Sequence, residues 1–175
     1  MREIMISIQP QWVEKILNGE KTIEIRKTMP KCELPCKVYI YCTKGKPLNV
    51  FGIKSDGFIF EELNGKVVAE FTFDDVGEFY VFENGSVQGW NWFGLERGCL
   101  TYEQISEYIG LNKKGYAWHI DNLKIYDKPK ELSEFKKADC DCPFPYVCCP
   151  PCNNCDERDI KKPPQSWCYV QRSDL

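Results

Sequence analysis

In the segment Gly19-Glu20-Lys21-Thr22-Ile23-Glu24-Ile25-Arg26, four residues offer two cations, a hydroxyl and a carboxylate at close spacing: Lys21, Thr22, Glu24 and Arg26. Alternate side chains of a strand share a face, so Thr22, Glu24 and Arg26 stand together, with Lys21 at the rim. Such a set binds an anion or a polar heterocycle, and a lysine beside a carboxylate is equipped for proton transfer. Lys21 and Glu24 are therefore the catalytic candidates, and Lys21, Glu24 and Arg26 the ligand-binding ones. The same residues would equally make a solvated face carrying a Glu24–Arg26 ion pair. His119, the one histidine, lies in Tyr116-Ala117-Trp118-His119. It is a further candidate for the ligand site, the alternative being a packed, hydrogen-bonded imidazole.

A second cluster is built from sulfur. Six of the eleven cysteines crowd into CDCPFPYVCCPPCNNC: Cys140, Cys142, Cys148, Cys149, Cys152 and Cys155. Cys149-x2-Cys152 and Cys152-x2-Cys155 have the spacing with which one turn of chain presents two thiolates to a tetrahedral ion. The segment is rich in Pro, Asp and Asn and has little with which to build a core, so it needs a staple to be ordered. A dense thiolate set selects zinc. The expectation is one structural Zn2+ held by Cys140, Cys149, Cys152 and Cys155, with Cys142 and Cys148 as alternates. A reduced, flexible loop and an oxidised artefact are the other readings. Four thiolates leave no open coordination position, so the ion would not be catalytic.

Other chemistries find no support. There is no second histidine, G-x-S-x-G or HExxH, which removes serine-hydrolase, zincin and papain-type schemes. Without GxxxxGK[ST] or GxGxxG, triphosphate and dinucleotide sites are also excluded. With 23 Lys+Arg against 26 Asp+Glu, the net charge of −3 gives no global basic field for duplex DNA. No apolar run approaches the ~20 residues of a membrane span. The opening MREIMISIQPQW lacks a signal-type apolar region, so a cytoplasmic protein with no membrane contact is expected. The 175 residues, 43% hydrophobic and 14% aromatic, suit one globular domain with a small appendage.

The elements that would position these groups can be read from periodicity. REIMISI (2–8) alternates as a strand with Ile4, Ile6 and Ile8 on one face. Pro10 opens a short helix, PQWVEKILNG, with Trp12, Val13, Ile16 and Leu17 as its stripe and Gly19 at its C-terminal cap. KTIEIRK (21–27) and KVYIYCT (37–43) follow as strands. FIFEELNGKVVAEFTFDDV reads as a hairpin about Asn64-Gly65, and EFYVF with Asn84-Gly85 continues the β run. Thr101 and Gln104 make a capping box for TYEQISEYI, which Gly110 ends. GYAWHIDNLKIYD (115–127) is a long strand bent near Asp121-Asn122. Many short strands with two short helices predict a small, curved, barrel-like sheet. Tyr39, Tyr41, Trp90, Trp92 and Trp118 would either fill its interior or stack nucleobases.

ISIQPQWVEKILNGEKTIEIRK resembles the opening of ASCH domains, which are PUA-like: an I-S-I strand, a short helix, then G-E-K-x-x-E-x-R. KVYIYCTKGK, KVVAEFTFDD and YAWHIDNLKIYDKPKELSEF resemble the later strands of phage- and prophage-type ASCH proteins. PPQSWCYV is similar to the closing motif of that subgroup, which a Cys-rich insert precedes. The resemblance implies a mostly β, α+β fold: a PUA-like barrel over 1–135 and a zinc-stapled tail over 136–175. It also implies RNA or a modified nucleobase as ligand. Some ASCH relatives hydrolyse N4-acetylcytidine and others are ribonucleases, which makes a hydrolase the second expectation. In the amidohydrolase pattern Lys21 matches the lysine, Glu24 stands where a threonine belongs, and Glu96 is nearest to the acidic third member. A protein-interaction module built on the zinc tail is the third expectation.

Overall fold

The computed structural model of the chain describes residues 3–45, 63–90, 94–138 and 158–172. Among these described residues, ten strands and two α-helices follow in the order β1 (Glu3–Ile8), α1 (Pro10–Leu17), β2 (Ile23–Arg26), β3 (Cys36–Cys42), β4 (Val67–Phe73), β5 (Val76–Val81), β6 (Val87–Trp90), α2 (Tyr102–Ile109), β7 (Lys113–His119), β8 (Asp121–Lys130), β9 (Phe135–Lys137) and β10 (Trp167–Arg172). The mostly β composition with two short helices is as the sequence predicts.

The closed barrel is not. Among the described residues the strands form two sheets, β8-β4-β3-β1-β10-β9 and β2-β7-β5-β6. The chain changes sheet abruptly at two places. β4 passes to β5 through Asp74 and Asp75, and β7 passes to β8 through Ile120. The bend expected near Asp121-Asn122 is thus sharp enough to send its two halves into different sheets, with Asn122 in the left-handed region at φ 47°. Strands that switch sheets at such corners build two packed layers whose edges stay separate. Here β8, β9, β2 and β6 are those edges.

Each layer has its own core. Ile4, Ile6 and Ile8 of β1 pack with Val38 and Ile40 of β3, Phe71 and Phe73 of β4, and Val13, Ile16 and Leu17 of α1. The opposite face of the same sheet is also covered, by Met5, Tyr39, Val67, Phe135 and Val170. A central strand covered on both sides explains why β1 is apolar almost throughout. The second core joins Ile23, Ile25, Phe79 and Val81 to Leu95, Ile105 and Ile109, fixing α2 against the four-stranded sheet. Of the aromatic candidates, Tyr39, Tyr41 and Trp118 are core residues. Trp118 stacks on Phe73 with ring centroids 4.7 Å apart. Trp92 lies outside the described residues.

Local signals behave as their chemistry requires. Pro10 occupies the first turn of α1, where its missing N–H costs nothing. Gly19 follows the helix at φ 76°, a conformation glycine adopts freely. The Thr101–Gln104 capping box is reciprocal: Gln104 N donates to Thr101 Oγ1, and Thr101 N donates to Gln104 Oε1. Asn64-Gly65 forms a turn leading into β4, while the FIFEE arm of the expected hairpin lies outside the described residues.

The six clustered cysteines, Cys140, Cys149, Cys152 and Cys155 among them, also lie outside the described residues. Among those described, no group of three or more His, Cys, Asp or Glu side chains is placed to hold a metal ion. β9 runs across the division expected between residues 135 and 136, and β10 pairs antiparallel with both β1 and β9. Burial pushes the thiol of Cys42 up to about 12 and that of Cys168 up to about 11. These thiols are packing groups rather than nucleophiles.

Candidate functional site

β2 is short, and every residue in it is buried. Ile23 and Ile25 turn into the second core. Alternation therefore points Glu24 and Arg26 the other way, into a cavity of roughly 800 Å3. The end of β1 supplies Ser7 and Ile8 to it and α1 supplies Trp12. α2 supplies Gln104, Glu107 and Tyr108, and Pro163, Pro164 and Gln165 close the remaining side.

Three charged side chains form the floor. Lys21 is 2% exposed, Arg26 6% and Glu24 7%. The Glu24 carboxylate lies between the cations, Oε2 at 3.2 Å from Lys21 Nζ and Oε1 at 3.0 Å from Arg26 Nη2. Lys21 Nζ also donates to the carbonyls of Ile23 and Gly98, each at 2.7 Å. An ammonium has three N–H bonds, and here all three meet fixed acceptors. Lys21 therefore ties the 3-10 turn Leu95–Gly98 to β2. It also sits 5.8 Å from the centroid of the Trp12 ring.

Arg26 is anchored as firmly. Its Nη2 donates to the Ser7 carbonyl at 2.7 Å, and its Nη1 reaches Ser166 Oγ at 3.3 Å. Two buried groups at this site have no hydrogen-bond partner, Arg26 Nε and Ser7 Oγ. Tyr108 stands at the mouth with 39% of its surface exposed. Burial raises the pKa of its hydroxyl, and the positive charge of nearby Arg26 opposes that rise. Lys27 lies 5.1 Å from the centroid of the Tyr108 ring.

The structure thus brings Lys21, Glu24 and Arg26 together in a concavity rather than on an open face. It does not bring His119 to them. That imidazole makes a 2.8 Å contact with Asp74 Oδ1, at the corner where β4 leaves its sheet, and it is not part of the cavity wall. Glu96 is exposed on the 3-10 turn and also stands off the wall.

Besides Glu24, the acidic residue that lines the cavity is Glu107. Sequence reasoning overlooked it, together with Gln104 and Tyr108. A signal was present: 104, 107 and 108 are spaced i, i+3, i+4 and share the polar face of α2. Ser7 carried none, being a single hydroxyl in an apolar strand.

Comparison with known proteins bears on the fold alone. No protein-family model matches the chain, and no curated protein matches it. Among solved structures, ASCH from Zymomonas mobilis aligns with a TM-score of 0.59 at 19% identity, over 97% of this chain and 87% of that one. Two single-substitution mutants of that protein align with TM-scores of 0.61 and 0.59, at 18% and 17% identity, over 99% and 98% of this chain and 94% and 90% of theirs. The fold is that of the ASCH domain. At this identity the likeness carries no residue roles across. Among the described residues no helix is long and apolar enough to cross a membrane.

Proposed function

We propose that the chain binds RNA or a modified nucleobase in the cavity built on the GEKTIEIR segment. The observation that carries this reading is the buried Lys21–Glu24–Arg26 cluster on the floor of a cavity walled by Trp12 and Tyr108. The volume falls within the ~300–1,000 Å3 of small-ligand sites. A carboxylate accepts from exocyclic amines, cations receive carbonyl or phosphate oxygens, and aromatic faces take a base at ~1–3 kcal/mol each. The general association of PUA-like folds with RNA supports the reading by analogy.

Titration of the full chain with single-stranded RNA oligonucleotides and with duplex DNA tests it. RNA is expected to bind with a shallow salt dependence, roughly −1 to −2 in log–log slope, because one or two phosphates are gripped. Trp12→Ala should weaken that binding about tenfold, the loss of one stacking platform. A steep slope, or equal affinity for duplex DNA, would place binding on another surface.

A second reading rests on the 3.2 Å contact between Lys21 and Glu24. A lysine and a carboxylate so paired would serve a hydrolase acting on RNA or an acylated nucleoside, with Lys21 orienting or protonating the reacting group. Product formation separates the two, since a binder returns its ligand unchanged.

The proposal extends to a phage-type ASCH protein divided into a domain at 1–135 and a Cys-rich tail at 136–175. In that tail four thiolates would hold one zinc ion and couple its folding to metal. Elemental analysis of protein prepared without chelator is expected to give close to one zinc per chain. A metal content near zero would remove the zinc from the proposal.

A further inference from the structure

We infer that Cys32 and Cys36 are a redox modification site: they close to a reversible disulfide, and their oxidant is a low-molecular-weight disulfide of the glutathione type. The starting point is a sulfur–sulfur contact. Cys32 Sγ lies 3.1 Å from Cys36 Sγ, and both residues are free thiols. A disulfide bond measures ~2.05 Å, so the pair closes by a movement of about 1 Å. The other described cysteines stand apart from it. Cys42 Sγ contacts Asn64 Oδ1 at 3.3 Å, Cys99 Sγ contacts the Glu20 carbonyl at 3.5 Å, and Cys168 packs against the core on the other face of the six-stranded sheet.

The two sulfurs are held together from separate elements. Cys36 is the first residue of β3, paired opposite Phe73 of β4 and part of the first core. Cys32 belongs to the connector 27–35 that leads from β2 to β3. That connector is fastened to β10 on both sides of the Thr28–Lys31 stretch. Trp167 Nε1 donates to Thr28 Oγ1 at 3.0 Å. The Tyr169 hydroxyl accepts from Lys31 N at 2.7 Å and donates to the Lys31 carbonyl at 3.0 Å. Cys32 follows the Lys31 anchor directly and packs against the same core as Cys36. The orientation that a disulfide requires is therefore built into the reduced fold, and groups so positioned react far faster than free ones.

Burial divides the roles. Cys36 is 3% exposed, and that burial, with Cys32 beside it, pushes its thiol well above the ordinary range. Cys32 is half-buried, between exposed Lys31 and Glu33. An external disulfide meets Cys32 first, because thiol–disulfide exchange needs access to the attacking sulfur. The Cys32 thiol gives its proton to water, and the thiolate attacks one sulfur of the small disulfide. That S–S bond breaks, one small thiolate leaves and takes up a proton, and Cys32 carries the other half as a mixed disulfide. Cys36 then loses its proton, attacks Cys32 Sγ and expels the second small thiol. Two protein thiols are oxidised and one small disulfide is reduced to two thiols, so electrons and protons balance. A small dithiol reverses the sequence through the same accessible sulfur.

Peptide mapping of the full chain tests this. Trypsin cuts after Lys31 and Lys37, so both cysteines leave in one peptide, residues 32–37, apart from every other cysteine. After incubation with excess oxidised glutathione, acid quenching and alkylation under denaturing conditions, that peptide is expected to be lighter by two hydrogens and to take no alkyl group. Dithiothreitol should restore two alkylated thiols. Cys36→Ala should stop at the intermediate, with one glutathione on Cys32. Cys32→Ala should leave Cys36 reduced and fully alkylated.

A wild-type peptide recovered with both thiols alkylated would overturn the inference. So would a wild-type chain that stops with glutathione on Cys32, or a Cys36 bridged to a different cysteine. Uptake of glutathione by Cys36 in Cys32→Ala would overturn the assigned order of attack. Thermal unfolding supplies a second measurement, with the change on oxidation of Cys32→Ala subtracted to remove the effect of the other thiols. The bond should leave the midpoint unchanged or raise it by up to roughly 8 °C, as a short closed loop in a chain of this length allows. A fall would show that the reduced contact has to be broken to make the bond, and would overturn the inference as well.

Discussion

Glu24→Ala is expected to lower the unfolding free energy by about 3–5 kcal/mol, the cost of breaking a buried ion pair by removing one partner. The carboxylate is 7% exposed and is shared by two cations that are buried more deeply still. Its removal leaves Lys21 and Arg26 facing each other across a cavity floor with nothing between them. For a chain of this length the midpoint of thermal unfolding should fall by roughly 6–20 °C. Urea titration and calorimetry would measure it, and a loss under ~1 kcal/mol would show that the cluster is solvated like a surface pair. The companion variant makes the functional point. Replacing all three members at once with apolar residues of similar size should remove the charge imbalance, since well-packed hydrophobic groups commonly match or exceed buried charges. What it still costs is the loss of the donors that Lys21 and Arg26 give the Ile23, Gly98 and Ser7 carbonyls, about 1–3 kcal/mol for each one left unsatisfied. The same variant should have lost its ligand.

Gly115→Val should destabilise by about 1–3 kcal/mol, and it should do so through an element that lines the cavity. Gly115 on β7 lies opposite Phe79 on β5, and a Cβ added there would fall inside the van der Waals surface of the Phe79 ring. That ring is 3% exposed and packs with Ile25, Ile105 and Ile109. Overpacking in such a place forces side chains off their rotamers or shifts the backbone. The contact that must give is the one seating α2, which carries Gln104, Glu107 and Tyr108 to the cavity. Gly115→Val should therefore weaken ligand binding as well as lower the melting point. The double variant Gly115→Val/Phe79→Leu should recover much of both. Failure of the smaller side chain to rescue would mean that the glycine serves the strand backbone instead.

The ease with which elements and site were read from sequence differs, for physical reasons. The first turn of α1 and the cap of α2 are local events. Pro10, Gly19 and the Thr101–Gln104 pair specify them with residues a few positions apart, and short-range chemistry is what a sequence displays most openly. The alternation of KTIEIRK likewise put Glu24 and Arg26 on one side. Its surroundings were a different matter. An alternating polar face has the same pattern whether it meets water or a cavity, and the difference here is made by α2 and residues 163–165. These segments lie some 80 and 140 positions further along the chain, and no periodicity announces their arrival. The missing barrel closure has a similar origin. Both sheet changes occur within one or two residues, at Asp74-Asp75 and at Ile120, and a strand pattern continues straight through them. His119 reads like a ligand-site residue because it is the one imidazole near the right strand. Its register opposite Ile23 puts it beside β2, while its side chain turns to Asp74.

The position of β10 has a consequence for how the molecule is made. β10 fills the slot between β1 and β9, with Glu3 opposite Val170. The first and last described strands are thus neighbours, and pairing of such high sequence separation forms slowly because the intervening chain must be closed first. At translation rates of about 5–20 residues per second, β1 waits roughly ten to thirty seconds for this partner. Throughout that interval one edge of an almost wholly apolar strand is open, the condition that invites pairing with foreign chains. The cavity shares the delay. Ser166, which holds Arg26, and Gln165, which borders the floor, arrive with the same stretch of chain. A nascent polypeptide therefore has an aggregation-prone edge and no binding site, and both conditions end in one late step.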